Sequence, residues 1–270
     1  MSASEGAVSN AGGRLEKLTD WIEARLTEDY APPEVLQHAP ELSVPDAYRV
    51  QAAYMARRVA AGDAIAGYKA ALTSKAMQER EGFDEPILGT LLTSRRLPAN
   101  APVSLGRYLR ATLEPEVAVL LKSALVGPGV TAAQALAAVE CYLPAVEIGD
   151  IRTGDNARSL QQTIVCNTFN GGYVLGGEGV TPAGIDLRYE GMVLEVNGEV
   201  AGSATAVEVL GDPINSVAFM ANKLGEIGLV LQPGMVLLTG SIVASVRLHP
   251  GDEVRVGFTR LGAVRVHCAE

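Results

Sequence analysis

Two glutamates one residue apart, Glu114 and Glu116, stand in the strand-like stretch RATLEPEVAVLL at 110–121. Side chains two apart on a strand share a face, with Cα atoms roughly 6.5–7 Å apart, so both carboxylates point the same way. That placement suits two carboxylates converging on one cation. A solvent-facing pair is the ordinary meaning of such a spacing. Here the same face continues through Ala118 and Leu120, while Leu113, Pro115, Val117 and Val119 fill the other, so neither face reads as wet. A third acid, Glu147, follows in YLPAVEIGDI with apolar neighbours on both alternations. Buried carboxylates are costly unless paired or metal-bound, and three together raise one another's pKa. Two resolutions are open. A divalent cation can be shared by all three, and all-oxygen ligation favours Mg²⁺ or Mn²⁺ over zinc. Alternatively, basic side chains such as Arg110 or Arg152 pair with the acids.

Composition narrows the partners. A net charge of -9 with dispersed basic residues argues against nucleic acid, which needs clustered Lys and Arg. An anionic substrate therefore needs a local positive centre. The longest apolar stretches, such as GLVLQPGMVLLTGSIVASV, are broken by Pro or Gly, which argues against a membrane span. The start, MSASEGAVSNAGG, has neither the basic cluster nor the apolar run of a signal peptide and reads as a disordered lead. Cys141, Cys166 and Cys268 form no CxxC pair, which favours reduced thiols and a cytoplasmic setting. His38, His249 and His267 show no zinc spacing. No GxSxG, GxGxxG or GxxxxGK arrangement is present to support a serine hydrolase or a nucleotide enzyme.

The elements that must position the acids divide by periodicity. Leu15, Leu18, Trp21, Ile22 and Leu26 recur at helical spacing between Gly13 and about Tyr30, with the loop APPE closing that helix. A second helix is predicted from Ser43 as N-cap, with Pro45 in its first turn, to Gly62. AIAGYKAAL is a strand candidate, followed by a short helix capped by Thr73 or Ser74 and ended by Gly82. After about Asn100 the chain turns to short β-rich runs punctuated by Gly and Pro, among them LPAVEIG, NGGYVLGG, GMVLEVNGEVAG, GMVLLTGS and DEVRVGFTRLGAVRVHCA. Asn197 and Gly198 suit a tight hairpin turn. Two helices are predicted among these strands, from Thr131 and from about Pro213. The expected architecture is α+β: a lead over 1–12, a helical part over 13–100, and a β-roll or sandwich core over 101–270.

The segments GYKAALTSKAMQEREGFDEPILGTLL, LEPEVAVLL, LPAVEIGDIR, NSVAFMANKLGEIGLVLQPGMVLLTGS and PGDEVRVGFTRLGAVRV, in this order from about Leu42 to the end, resemble the 2-oxopent-4-enoate hydratase and 4-oxalocrotonate decarboxylase group of the fumarylacetoacetate hydrolase superfamily. The resemblance implies a β-roll catalytic core, a magnesium or manganese site on Glu114, Glu116 and Glu147, and a small 2-oxo acid substrate from aromatic-ring degradation. It also implies a homo-oligomer. Lys69 in GYK matches a lysine beside the substrate, and Thr239 and Ser241 in LLTGSI match a turn that binds an anionic oxygen, with Gly240 allowing close backbone approach. Asp150 and Arg152 match a pair with a structural role. Hydratases of the group carry an acid in a PDFG segment, where PILG here has Ile87, and the EPE and GPG (127–129) forms also lean toward decarboxylation. Cys166 and Phe169 stand where both branches carry a more polar run, although Asn167 is kept. Two rival readings follow: a carbon–carbon hydrolase using His38, and a non-catalytic binding protein on the same fold.

Overall fold

The apolar spacing from Leu15 to Leu26 folds as helix α1 (Ala3–Thr27) in the computed structural model of the chain, which describes residues 3–27, 34–152 and 159–270. Leu18 and Ile22 are buried, and burying one such side chain contributes about 1.5–3 kcal/mol. The helical backbone starts ahead of Gly13, within the segment expected as a disordered lead, because no proline between them removes a backbone donor. Most of the APPE loop lies outside the described residues.

Helix α2 (Val35–His38) is capped by Glu34, and α3 (Val44–Ala60) by Ser43, with Pro45 in its first turn. Strand β1 (Ile65–Ala71) leads into α4 (Lys75–Glu81), which Ser74 caps and a left-handed Gly82 ends, as its residue types require. Strand β2 (Ile87–Leu92) has no counterpart among the expected elements. All six of its residues are buried, so ILGTLL shows no alternation to read. After β3 (Val103–Ser104) and β4 (Ala111–Leu121), α5 (Ala132–Ala137) is held by a Thr131–Gln134 capping box. It stops short of Val139 and Glu140, which belong to β5 (Val139–Asp150). Helix α6 (Leu160–Val165), capped by Ser159, is also an addition. Strand β6 (Asn170–Leu175) follows, then the hairpin β7 (Gly191–Val196) and β8 (Glu199–Thr205), whose turn has positive φ at Asn197 and Gly198. Helix α7 (Pro213–Gly225) and strands β9 (Val236–Ser241), β10 (Val246–Arg247), β11 (Glu253–Phe258) and β12 (Ala263–Ala269) complete the chain.

The strands form two sheets. One runs β2-β1-β9-β4-β5-β6, with β10 added to β4, and the other runs β3-β12-β11-β7-β8. Strands β1 and β9 are parallel, while β4 is antiparallel to both β5 and β9. Helix α7 packs on β9 and β1, and β5 packs against β11 and β12. The architecture is α+β, with one difference from the expected division. The boundary near residue 100 separates no layer, because β1 and β2 pair into the sheet that carries β4, β5 and β9. Pairing partners in a sheet are set by register and packing rather than by nearness in the chain.

Candidate metal centre

Strands β4 and β5 pair with Glu114 directly opposite Glu147 and Glu116 opposite Ala145. Like charges placed so destabilise a ladder, yet one carboxylate oxygen from each of Glu114, Glu116 and Glu147 lies within 4.8 Å of the others. Glu116 and Glu147 are buried and Glu114 is half-buried. Lys69, on β1 and also buried, places Nζ 3.1 Å from Glu147 Oε1. Asn170, at the start of β6, donates to that same oxygen from Nδ2 at 2.9 Å. From β9, the backbone N–H of Gly240 donates to Glu116 Oε2 at 2.7 Å.

The opposite oxygens bear on the two resolutions. Glu116 Oε1 and Glu147 Oε2 are buried and accept no hydrogen bond among the described residues. Buried carboxylate oxygens left so are expensive. Lys69 is a basic partner of Glu147 at its other oxygen, while Arg152 donates from Nε to Asp150 Oδ2 at 2.7 Å and the backbone N–H groups of Leu109 and Arg110 donate to Asp150 Oδ1. Asp150 and Arg152 thus make the structural contact expected of them. A hard divalent ion has oxygen ligands at about 2.0–2.6 Å, a scale that fits the cluster. Burial pushes the Glu116 carboxyl well above the usual range, with Glu147 and Glu114 repelling its charge and Lys69 and the Gly240 N–H opposing the shift. For Lys69, burial disfavours the ammonium, but Glu147, Glu114 and Glu116 outweigh it and hold its pKa above an ordinary lysine's.

The cluster opens into a cleft of about 390 Å³. Lys69, Glu114 and Glu147 line one part of it, and Leu72, Met77, Phe83 and Ile87 give it an apolar wall. Ser241 lines it too, its hydroxyl donating to Val243 O at 2.6 Å. Thr239 does not: it is fully buried in β9, with its hydroxyl donating to Val117 O at 2.8 Å, so the expected pair of hydroxyls is reduced to one at the cleft. The β4–β9 register slips here, Glu116 pairing with Ser241 but Ala118 with Leu238, and with Gly240 at φ 118° this irregularity separates 239 from 241, which regular alternation would place on one face. Phe169 lines the cleft, whereas Cys166 is buried off it and receives the Gln162 amide at 3.6 Å. Burial pushes the Cys166 thiol up to about 12, which suits a core residue better than a nucleophile. His38 stacks on Trp21 at 4.4 Å and takes no part in the cleft.

Asn167, Thr168 and Phe169 have φ of 52°, 51° and 58°. Non-glycine residues in this left-handed region cost roughly 1–2 kcal/mol each, and runs of such strain gather at functional sites. Asn167 anchors the turn by accepting from Thr90 N at 2.7 Å and donating to Thr90 O at 2.9 Å. Asn170 and this turn were not anticipated from the sequence, whereas the close backbone approach expected at Gly240 is made to Glu116. An asparagine-rich CNTFN following a buried run was the available signal.

Fold and cluster together define an α+β protein with an all-oxygen site suited to a divalent cation. Over residues 48–268 the chain matches the family of fumarylacetoacetate (FAA) hydrolase C-terminal domains, and it belongs to that family. It is 35% identical to 4-oxalocrotonate decarboxylase from Pseudomonas putida over 240 residues, 89% of this chain and 88% of that protein. It is 37% identical to 2-hydroxypent-2,4-dienoate hydratase from Pseudomonas putida over 190 residues, 70% of this chain and 86% of that protein. A structure of 4-oxalocrotonate decarboxylase from Pseudomonas putida G7, complexed with magnesium and adipate, superimposes with a TM-score of 0.91 at 32% identity, covering 95% of this chain and 97% of that one. Among the described residues no helix is long and apolar enough to cross a membrane.

Proposed function

We propose that the chain is a divalent-metal-dependent lyase for a small unsaturated 2-oxo acid arising in aromatic-compound breakdown, with Mg²⁺ or Mn²⁺ held by Glu114, Glu116 and Glu147. The observation that carries this reading is the pair of buried, donor-less oxygens, Glu116 Oε1 and Glu147 Oε2, in a cluster at the edge of a largely apolar cleft. The decarboxylase and hydratase relatives support the reaction class. When bound, the cation polarises the 2-keto group and draws off the electron pair released at the reacting carbon.

The rest falls to the protein. Lys69, kept charged by its carboxylate neighbours, holds a proton at Nζ inside the cleft, where it neutralises the substrate's anionic end or returns a proton to it. Ser241 offers its hydroxyl oxygen on the same wall. Decarboxylation breaks one C–C bond, sends its electron pair along the conjugated chain to the keto oxygen and frees CO₂. The resulting dienolate then takes up a proton. Ile87, buried at the cleft wall, supplies neither acid nor base and keeps water from the substrate, which favours loss of CO₂ over addition of water. Hydration is the second reading, because Glu81 and Glu208 line the same cleft and offer it the acid that Ile87 lacks. A cytoplasmic setting is part of this reading, and three free cysteines are compatible with it.

Incubation with Mg²⁺ and either 2-hydroxymuconate or 2-hydroxypenta-2,4-dienoate, followed by NMR and CO₂ detection, tests the reading. CO₂ from the diacid is the expected result. A 4-hydroxy-2-oxo acid from the monoacid selects hydration, and neither product, with or without Mg²⁺, refutes both.

A further inference from the structure

We infer that the left-handed turn Asn167–Phe169 is a positioning device for the cation site, acting through Asn170 on Glu147 and through Thr168 on the bed of Lys69. The inference rests on the metal reading above. The turn is docked on β2 at two successive residues. At Thr90 the Asn167 amide takes both backbone groups, N–H and C=O. At Gly89, Thr168 Oγ1 occupies the space where a side chain would begin, and Lys69 Cε lies 3.2 Å from that same point. Gly89 is also the cross-strand neighbour of Lys69. One side of the Lys69 stem is therefore shaped by a strand without a side chain and by a turn that fills the gap.

The turn hands the chain to β6 at an irregular register, Gly149 pairing with Asn170 while Ile148 pairs with Gly172. Such a bulge re-aims a side chain. Here it directs Asn170 Nδ2 to Glu147 Oε1, the oxygen that also faces Lys69 Nζ. With Oε1 held from two sides, the carboxylate plane is set and the buried Oε2 is left without a donor among the described residues, in a group that has one oxygen within 4.8 Å of one from each of Glu114 and Glu116. Strain concentrated in three consecutive residues would relax if the turn left β2, so the clamp at Thr90 is what keeps Asn170 aimed. Asn167 and Asn170 are positioning residues for the cation.

Titration of the metal-free protein with Mn²⁺, reading free Mn²⁺ by electron paramagnetic resonance, tests this without turnover. Asn170→Ala leaves the anchoring on β2 intact and is expected to raise the Mn²⁺ Kd about 10–100-fold, the range for lost hydrogen-bonding support of a metal ligand. Asn167→Gly removes the clamp while accepting the left-handed backbone freely, and is expected to weaken Mn²⁺ binding although its own backbone cost has gone. Wild-type affinity in Asn170→Ala overturns the inference and leaves the metal reading standing, whatever Asn167→Gly does. Wild-type protein that binds no Mn²⁺ removes both.

Discussion

The β11–β12 hairpin and the β4–β5 pair are both antiparallel ladders, but they use alternation differently. In β11 and β12 buried Val254, Val256, Val264 and Val266 alternate with more exposed Glu253, Arg255, Arg265 and His267, the pattern of a sheet with one wet face. In β4 and β5 nearly every residue is enclosed, and Glu114, Glu116, Glu147 and Asp150 lie among the enclosed, with Glu140 near the start of β5 the exposed exception. Charge on the first pair is tolerated by water. On the second it is received by specific groups, the Gly240 N–H for Glu116 and Asn170 with Lys69 for Glu147, and each acid keeps one buried oxygen without a donor among the described residues. A polar residue on a strand covered on both faces therefore speaks to function, whereas the same residue on an alternating strand speaks only to solubility.

Four substitutions sharpen or break this contrast. Glu116→Gln is expected to abolish cation binding and turnover, measured by calorimetry and product formation. In the metal-free protein it should also stabilise. The folded Glu116 carboxyl titrates well above its ordinary value of 4.5, so the native state binds its proton more tightly than the unfolded chain does, and stability is lost as pH rises from that value through the raised one. Melting temperature against pH should fall over that span for metal-free wild type and fall less for the variant. A metal-free variant less stable than wild type at neutral pH would show that the enclosed charge is not a burden. Lys69→Ala should lower turnover about 10²–10⁴-fold, the range for a lost proton donor, with Mn²⁺ still bound. Loss of the ion instead would make Lys69 a structural member of the cluster. Gly89→Ala forces a methyl group onto Thr168 Oγ1 and should cost about 1–3 kcal/mol by overpacking, read by urea unfolding. Glu195→Gln, removing the part-exposed partner of Arg255 at 2.6 Å on the alternating sheet, should change stability by about 1 kcal/mol or less and leave Mn²⁺ affinity untouched.

Local chemistry was readable wherever its partners were near in the chain. Ser43, Ser74 and Thr131 announced helix starts because each cap closes within three residues, and Asn197–Gly198 announced its turn through backbone preference. The three glutamates were readable because an acid amid apolar neighbours is conspicuous whatever its register. Three other features were not. Strand β2 lacks alternation because both its faces are covered. The bonds from Gly240 to Glu116 and from Asn170 to Glu147 join residues 124 and 23 positions apart, and only the ordering of β9 and β6 around β4–β5 brings them together. Thr239 and Ser241 share a parity and are separated by the register slip of β9 against β4 at Gly240, which motif matching does not see and the sheet does.

The support that Glu116 receives from Gly240 comes from the main chain, so no change of side chain deletes it except proline, which alone lacks the N–H. Position 240 is instead sensitive to bulk. Its φ is 118°, and an added methyl would run into Thr73. Mutational scanning there would report crowding while leaving the bond itself untested, and isolating that bond calls for an amide-to-ester replacement in the backbone. Grafting this trio onto another scaffold would likewise fail on side chains alone, since the recipient must bring a peptide of matching curvature behind the middle acid.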